Sequence, residues 1–565
     1  MKKLLAMVLA VLMALGCMSV AMADEGSEPD WTEYDALIAE IKSTTDFAYR
    51  EELMHKAEDI LMATNCIVPI YYYNDIYMMK DGVEGFYDNV YGTKFFMHAT
   101  YGDNSVLRIN LASEPDKLDP ALNSSVDGAC LAANSFGGLY TYNADGELEP
   151  NFATDYTVNE DGMTYVFTMR EGLKWSDGSE LNAKDFEWSW KRAANPETAA
   201  DYSYMLDGIA RDEAGELMVT ASEDGATLTV VLSAPCAYML DLMAFPTFYA
   251  VKQSEVEGAD GYLDADGNIA SPGAWALEAG FVSSGAYVLE SWVHNESMVY
   301  VKNPNYWDAE NVKIEKLEFM LSDDDTIIYA AYQAGDLDFI DTVPNDQIST
   351  LLAEENPEFY IADNLGTYYI CFNVKSPMFD GLTVEEASTM RHALSILIDR
   401  DYIVETIGQT GQQVATSFIP AGMLDGNGGV FRANDDAYTF PMGEGYLPED
   451  SGMDYIDQAV EELKSIGFKF DDNNMLSAET PIAFEYLTND TSGHIAIAEA
   501  VQQDLAMIGV NMTLKTIDWN TFLNERKAGN YDIARNGWLA DFNDPINMLE
   551  MWATESGNND IQFGR

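Results

Sequence analysis

Apolar residues recur at helical spacing near the beginning of the chain. Within residues 33–64, Leu53, Ala57 and Ile60 fall three or four positions apart, which predicts a helix. The run IVPIYYY at 67–73 predicts a buried strand. Its proline indicates a sheet edge or the beginning of a strand, because proline cannot donate a ladder hydrogen bond.

The rest of the chain shows two patterns. From Val106 to about Leu232, short segments separated by Gly/Asp turns predict a strand-rich half with one helix at 183–193. From about residue 365, helices and strands alternate, which is typical of a parallel or mixed sheet covered by helices. Ligands of such folds bind in crevices at strand ends and between lobes. The predicted helices of this second half are 385–400, 453–466 and 494–508, and its predicted strands are 481–487, 510–517 and 531–536.

Length and charge narrow the possible functions. A chain of 565 residues exceeds what one hydrophobic core supports, so we expect two or more lobes. The 32 Tyr, 25 Phe and 10 Trp can line a ligand pocket as well as the cores. A net charge of −65 repels nucleic acid and anionic membrane surfaces. We expect most of these charges to lie on the solvent-exposed surface, where they keep the protein in solution. The negative charge also favours a ligand that is not strongly anionic.

The first 23 residues have the pattern of a secretory signal. A basic start at Lys2 and Lys3 precedes an apolar run and the small-x-small sequence AMA at 21–23. Cys17 offers a second interpretation, because Gly16-Cys17 resembles a lipoprotein processing box in which the cysteine is acylated. We therefore expect an exported protein that is either secreted or periplasmic, or held at the cell surface through Cys17.

The sequence carries none of the common enzyme motifs. The five histidines form no HExxH pair, no serine lies in GxSxG, and no phosphate-binding GxxxxGK[ST] loop occurs. A pair of catalytic carboxylates of the glycosidase kind is still an alternative, since 95 acidic residues offer many pairs. Four further cysteines show neither CxxC spacing nor a paired pattern, namely Cys66, Cys130, Cys236 and Cys371. We expect them to be buried free thiols. We predict a binding protein without a cofactor or metal.

A series of short motifs runs in order along some 430 residues. The motifs are EPDKLDP at 114–120, FGGLY at 136–140, LKWSDG at 173–178, SGAY at 284–287, NPNYW at 303–307, AGDLD at 334–338 and YDIARNGWLADFNDP at 531–545. Together they resemble the peptide/nickel class (family 5) of solute-binding proteins of bacterial ABC importers, and oligopeptide-binding proteins are the nearest likeness within that class. The resemblance implies a two-lobed α/β fold of the periplasmic-binding-protein kind (class II), with an additional smaller strand-rich domain.

The order of the segments departs from that of the family. The front motifs YDALI at 34–38, IVPIYYY at 67–73 and GVEG at 82–85 resemble the family's closing segment, so the sequence is interpreted as a circular permutant. New chain ends are tolerated in exposed loops, and chain termini are often close together. The expected domains are a signal at 1–23, the first part of the α/β lobe at 29–75, a first lobe at 76–145 and 262–345, a smaller strand-rich domain at 146–261, and the remainder of the α/β lobe at 346–565.

The resemblance assigns ligand contacts to particular residues. Asp541 matches the acid that receives the α-ammonium group of the peptide, although a helix N-cap is the structural alternative. Arg535 matches a charge partner near the peptide, with a local ion pair as its alternative. The loop Ser124 to Val126 matches the loop that pairs with the ligand backbone. Four aromatic residues match those that form the walls of the family's side-chain pockets, namely Trp519, Trp538, Tyr202 and Tyr369.

The expected mechanism is closure of the lobes around a short peptide, followed by docking on a permease whose ATPase drives release. We expect a monomer. Two alternatives stay open at this point. The same fold binds another ligand, such as a dipeptide-like compound, a nickel chelate, heme or a sugar, or the protein is a secreted hydrolase.

Overall fold

The computed structural model describes residues 26–111, 113–434, 438–443, 445–448 and 451–565. The signal pattern and Cys17 lie outside these residues. None of the helices in the described part has the length and apolar character that a membrane-spanning helix needs. The α-helices, in chain order, are α1 Thr32–Ser43, α2 Phe47–Ala63, α3 Val126–Ser135, α4 Ala183–Ala193, α5 Met239–Leu242, α6 Gln253–Gly258, α7 Asp325–Ala334, α8 Asn345–Ala353, α9 Val384–Ser395, α10 Arg400–Tyr402, α11 Ile456–Ser465, α12 Ser492–Ala506, α13 Trp519–Lys527 and α14 Ile546–Glu550.

The strands form one large mixed sheet, a four-stranded sheet and three small two-stranded ones. In chain order they are β1 Ile67–Met79, β2 Val83–Glu84, β3 Tyr87–Asp88, β4 Lys94–Phe95, β5 Thr100–Tyr101, β6 Val106–Asn110, β7 Tyr140–Tyr142, β8 Leu148–Pro150, β9 Ala153–Val158, β10 Thr164–Met169, β11 Val219–Ala221, β12 Thr227–Val231, β13 Tyr287–Val293, β14 Ser297–Lys302, β15 Lys316–Met320, β16 Phe339–Ile340, β17 Phe359–Phe372, β18 Gln413–Val414, β19 Ala483–Asn489, β20 Asn511–Ile517 and β21 Ile533–Leu539.

Two long strands, β1 and β17, join the two halves of the large sheet. They pair antiparallel to each other at its centre, with β16, β6, β15, β14 and β13 on one side and β21, β19 and β20 on the other. Strand β19 pairs parallel with both β20 and β21, as expected for strands connected through helices. The mixed sheet covered by helices that was predicted for the second half is confirmed.

A separate four-stranded antiparallel sheet has the order β11-β12-β10-β9 and lies between residues 153 and 231. Helix α4 begins at a capping box formed by Asn182 and Asp185. Its buried face carries Phe186 and Trp190. The predicted helix 183–193 is confirmed with the same bounds.

The front of the chain differs from the prediction in two places. The expected helix at 33–64 is two helices, because Asp46 adopts an extended conformation and caps the second with its side chain. Strand β1 continues to Met79, beyond the run at 67–73. Pro69 is its third residue and lies beside a bulge in the pairing with β17, which agrees with a position near the beginning of a strand.

The front segment packs against the last helix of the chain and the residues around it. The indole of Trp31 donates a hydrogen bond of 2.8 Å to the carbonyl of Trp552, and its ring stacks on Phe563 at 3.9 Å between centroids. The Tyr34 hydroxyl donates to the carbonyl of Leu549 at 2.8 Å. These contacts place α1 and α2 on the α/β lobe, where they complete one hydrophobic core with the C-terminal residues.

Candidate functional site

A cavity of about 440 Å³ lies between the two halves of the molecule. Its walls include residues from the first half, such as those of the loop before α3, and residues of β21, α13 and the N-terminus of α12 from the second half. Because both lobes contribute, a molecule held here contacts both at once. This geometry couples ligand binding to the relative position of the lobes.

Asp541 lies in the wall, two residues after the end of β21. Its carboxylate accepts a hydrogen bond of 2.8 Å from the Asn547 amide and one of 3.3 Å from the Tyr202 hydroxyl. Burial raises the pKa of Asp541 from 3.8 to about 7, although both hydrogen bonds lower it. Its backbone N–H donates to the side-chain oxygen of Asn547. The following helix, α14, has Pro545 as its N-cap residue and no side-chain capping bond, so the Asp541 carboxylate does not cap it. Within the described residues, no cation forms an ion pair with it, which leaves a partly buried acid without its counter-charge.

Arg535 lies six residues earlier, within β21. Its Nε donates a hydrogen bond of 2.8 Å to the side-chain oxygen of Asn489. Its guanidinium carbon lies 5.1 Å from the ring centroid of Trp519 and 4.8 Å from that of Phe522. Burial lowers the pKa of Arg535, and no carboxylate in the described part of the chain compensates its charge. The cavity therefore holds an unpaired cation as well as an unpaired acid.

Aromatic rings flank both charges. The Trp538 indole donates a hydrogen bond of 3.0 Å to Asn547, the same amide that holds Asp541, and its ring lies 6.0 Å from that of Tyr202. Trp519 begins α13 and is partly exposed to the cavity. Three of the four predicted aromatic residues, Trp519, Trp538 and Tyr202, are thus in the wall. Flat rings accept many kinds of side chain, since they provide contact area without directional demands.

Tyr369 is not part of this wall. In the register of β17 with β21 it lies opposite Asn536, and paired residues project to the same face of a sheet. Arg535, one residue away, projects to the other face and lines the cavity. The Tyr369 ring is fully buried and packs edge-on against Phe418 and Trp552. Sequence alone did not reveal which of the neighbouring tyrosines in β17 faces which side.

Ser124 and Val126 both border the cavity. Val126 is the first residue of α3 and is 40% exposed. The Ser124 hydroxyl, expected beside the ligand backbone, donates instead to Asp201 at 2.8 Å. Lys527 of α13 binds both Ser124 and Asp201. This ionic contact joins the two sides of the cavity.

Three wall residues, namely Lys94, Asp75 and Asp341, were not found from the sequence. Lys94 forms buried ion pairs with Asp75 at 2.7 Å and with Asp341 at 2.9 Å. His494 stacks on Tyr368 at 5.5 Å, and burial together with the nearby Arg535 cation lowers its pKa well below the usual value. Such partners are far apart along the chain, so only the fold brings them together.

A cavity between two lobes, with aromatic walls and unpaired charges of both signs, is the site expected of a ligand-binding protein. Comparison with known proteins gives the family. Residues 147–560 match bacterial extracellular solute-binding proteins, family 5. The chain belongs to this family, and its fold is the two-lobed fold of that family. It is therefore a binding protein and not an enzyme.

Individual relatives agree. The chain is 31% identical to the oligopeptide-binding protein OppA of Bacillus subtilis over 473 residues, which are 80% of this chain and 78% of that protein. The murein tripeptide binding protein MppA of Escherichia coli matches with a TM-score of 0.69 and 27% identity, over 82% of this chain and 84% of the other. Haemophilus influenzae OppA in complex with RPPGFSPFR matches with a TM-score of 0.68 and 26% identity, over 82% and 85% of the two chains.

Proposed function

We propose that this protein captures short peptides in the cavity between its lobes and delivers them to the permease of an ABC importer. The observation that carries the proposal is that the buried Arg535 and the partly buried Asp541, two side chains of opposite charge without ionic partners among the described residues, line one cavity. A peptide supplies both missing counter-charges, an α-ammonium group for Asp541 and a carboxylate for Arg535. Relatives named as oligopeptide-binding and tripeptide-binding proteins support the same ligand class.

The unpaired charges also explain how a ligand favours closure. A buried charge without a partner costs several kcal/mol, on the order of what one removed partner costs in a buried ion pair. The closed, empty protein carries this cost at both Asp541 and Arg535, and an enclosed peptide removes it. The ligand therefore stabilises the closed form by its differential affinity. The contacts of Lys527 with Asp201 and of Tyr202 with Asp541 add direct bonds across the closed cavity.

The proposed location is outside the cytoplasm, with Cys17 as the site of a lipid anchor if the cysteine box is processed. One acyl chain binds a membrane only weakly, so a stable anchor needs more than one. We further propose that the order of segments is a circular permutation, with 29–75 standing in for the family's closing segment. The packing of α1 and α2 on the tail of the chain supports this order. The predicted domain boundaries and a monomeric state are part of the same proposal.

Two measurements test the proposal. Mass spectrometry of ligand released from the purified protein should identify peptides; a nickel chelate, heme or a sugar in their place would contradict it. A calorimetric screen with peptides of increasing length should show binding without turnover. Products released from the peptides would instead support a secreted hydrolase.

A further inference from the structure

The charges that line the cavity do not balance. Six carboxylates and four cationic side chains lie in the described part of the wall: Asp75, Asp127, Asp241, Asp341, Asp541 and Asp560 against Lys94, Arg526, Lys527 and Arg535. Lys94 pairs with two of these acids, Arg526 with Asp560, and Lys527 with Asp201, which is not in the wall. Among these wall residues, Asp127, Asp241 and Asp541 therefore have no ionic partner, and Arg535 is the one cation without a partner.

A simple zwitterionic peptide leaves part of this imbalance in place. Its ammonium group compensates Asp541 and its carboxylate compensates Arg535, so Asp127 and Asp241 are left over. Asp127 is stabilised locally, since it lies in the first turn of α3 and interacts with Ser125 and Trp519. Its Oδ2 atom is shut off from the cavity space. Asp241 is the acid that a ligand can still reach.

Asp241 is surrounded by aromatic rings. It accepts a hydrogen bond of 2.7 Å from the Tyr142 hydroxyl, and the ring of Tyr142 lies 5.4 Å from that of Tyr91. Phe245, four residues after Asp241 along the chain, also lines the cavity, and its ring centroid lies 4.9 Å from that of Tyr202. An acid among aromatic faces suits an organic cation, which gains both an ion pair and cation–π contacts. Burial raises the pKa of Asp241, and no cation of the described residues offsets this.

The pocket adjoins the site for the amino terminus of the peptide. The charges of Asp241 and Asp541 both contribute to raising the pKa of Tyr91. Tyr202 contacts the Phe245 ring and donates a hydrogen bond to Asp541. On the basis of the proposed function, we propose that Asp241, with Tyr91, Tyr142 and Phe245, forms a subsite for a lysine or arginine side chain near the amino end of the bound peptide. The protein then selects basic peptides rather than peptides in general.

Matched tripeptides test this subsite. Calorimetry on the intact protein compares peptides that carry lysine, arginine, norleucine or glutamate at the first or the second position, in otherwise identical sequences. Lysine or arginine at one of these positions should bind roughly tenfold or more tightly than norleucine, and glutamate more weakly still. Asp241→Asn should bring the lysine-to-norleucine ratio close to one while norleucine peptides still bind.

A further variant controls for structural damage. Glu160→Gln removes an exposed acid from the same expected domain as Asp241 and should keep the preference. Equal affinity of the wild-type protein for lysine and norleucine peptides, or an unchanged ratio in Asp241→Asn, would overturn the subsite. If neither basic nor neutral peptides bind, both the subsite and the proposed function fail.

Discussion

Arg50 binds Asp544 through two hydrogen bonds of 2.8 Å, although 494 residues separate them along the chain. Their side chains are 6% and 2% exposed, so the pair is buried. Arg50 belongs to α2 in the front segment, and Asp544 follows Asp541 by three residues. The front segment is therefore fixed directly to the loop that carries the proposed ammonium site.

Removal of one partner of this pair should destabilise the α/β lobe. Arg50→Ala leaves the Asp544 carboxylate buried without a cation, so we expect the free energy of unfolding to fall by about 3–5 kcal/mol. Urea denaturation measures the loss. Lys56 and Glu33 provide a matched control, because they form an ion pair of 2.7 Å with both side chains more than half exposed. Lys56→Ala should cost less than about 1 kcal/mol. Equal effects of the two substitutions would contradict the account.

The raised pKa of Asp541 predicts how peptide affinity depends on pH. Only the carboxylate form pairs with an ammonium group, and with a pKa of about 7 the empty site is increasingly protonated as the pH falls below 7. Affinity should fall roughly fivefold to tenfold between about pH 7.5 and about pH 6, with protons released on binding at the lower pH. Calorimetry in buffers of different ionisation enthalpy measures both quantities. In Asp541→Asn the proton release should be absent. Proton release that persists in this variant would come from another group and would contradict the assignment to Asp541.

The same shift makes Asp541 a source of instability in the empty protein. Its pKa is higher in the folded state than the unfolded value of 3.8, so its cost to folding grows as the pH rises from 3.8 to about 7 and is constant above that. Asp541→Asn keeps a side chain that can bond Asn547 and Tyr202. At about pH 7.5 the free energy of unfolding of this variant should be about 1–3 kcal/mol higher than that of the wild type, so the variant is more stable. A ligand-free variant that is less stable than the wild type at this pH would show that the acid is already compensated.

Arg535 should discriminate between free and blocked carboxyl ends. Arg535→Met keeps the stacking on Trp519 but removes the charge. For a peptide whose carboxylate reaches Arg535, affinity should fall by about 1.5–3 kcal/mol, as expected for a charged hydrogen bond. The corresponding amidated peptide should bind weakly to the wild type and lose little more in the variant. Equal losses for the acid and the amide would show that Arg535 is structural.

Local sequence signals predicted the elements that are formed by neighbours. Helix α4 has its own cap, and β21 carries a contiguous motif that ends at Asp541, so both could be predicted, as could the positions of Arg535 and Trp538 in the wall. Tyr369, expected in a pocket wall, does not line the cavity, because its ring packs on Phe418 and Trp552 instead. Asp241 carries no sequence signal, since its partners come from other parts of the chain.

The pairing of Asp541 with the α-ammonium group of a peptide is the central claim, and calorimetry of one tripeptide in free and N-acetylated forms tests it most directly. The wild-type protein should bind the free form at least roughly a hundredfold more tightly, and Asp541→Ala should bind both forms with the same weak affinity. Acetylated peptide that binds the wild type as tightly as the free form, or an undiminished preference in Asp541→Ala, would contradict it.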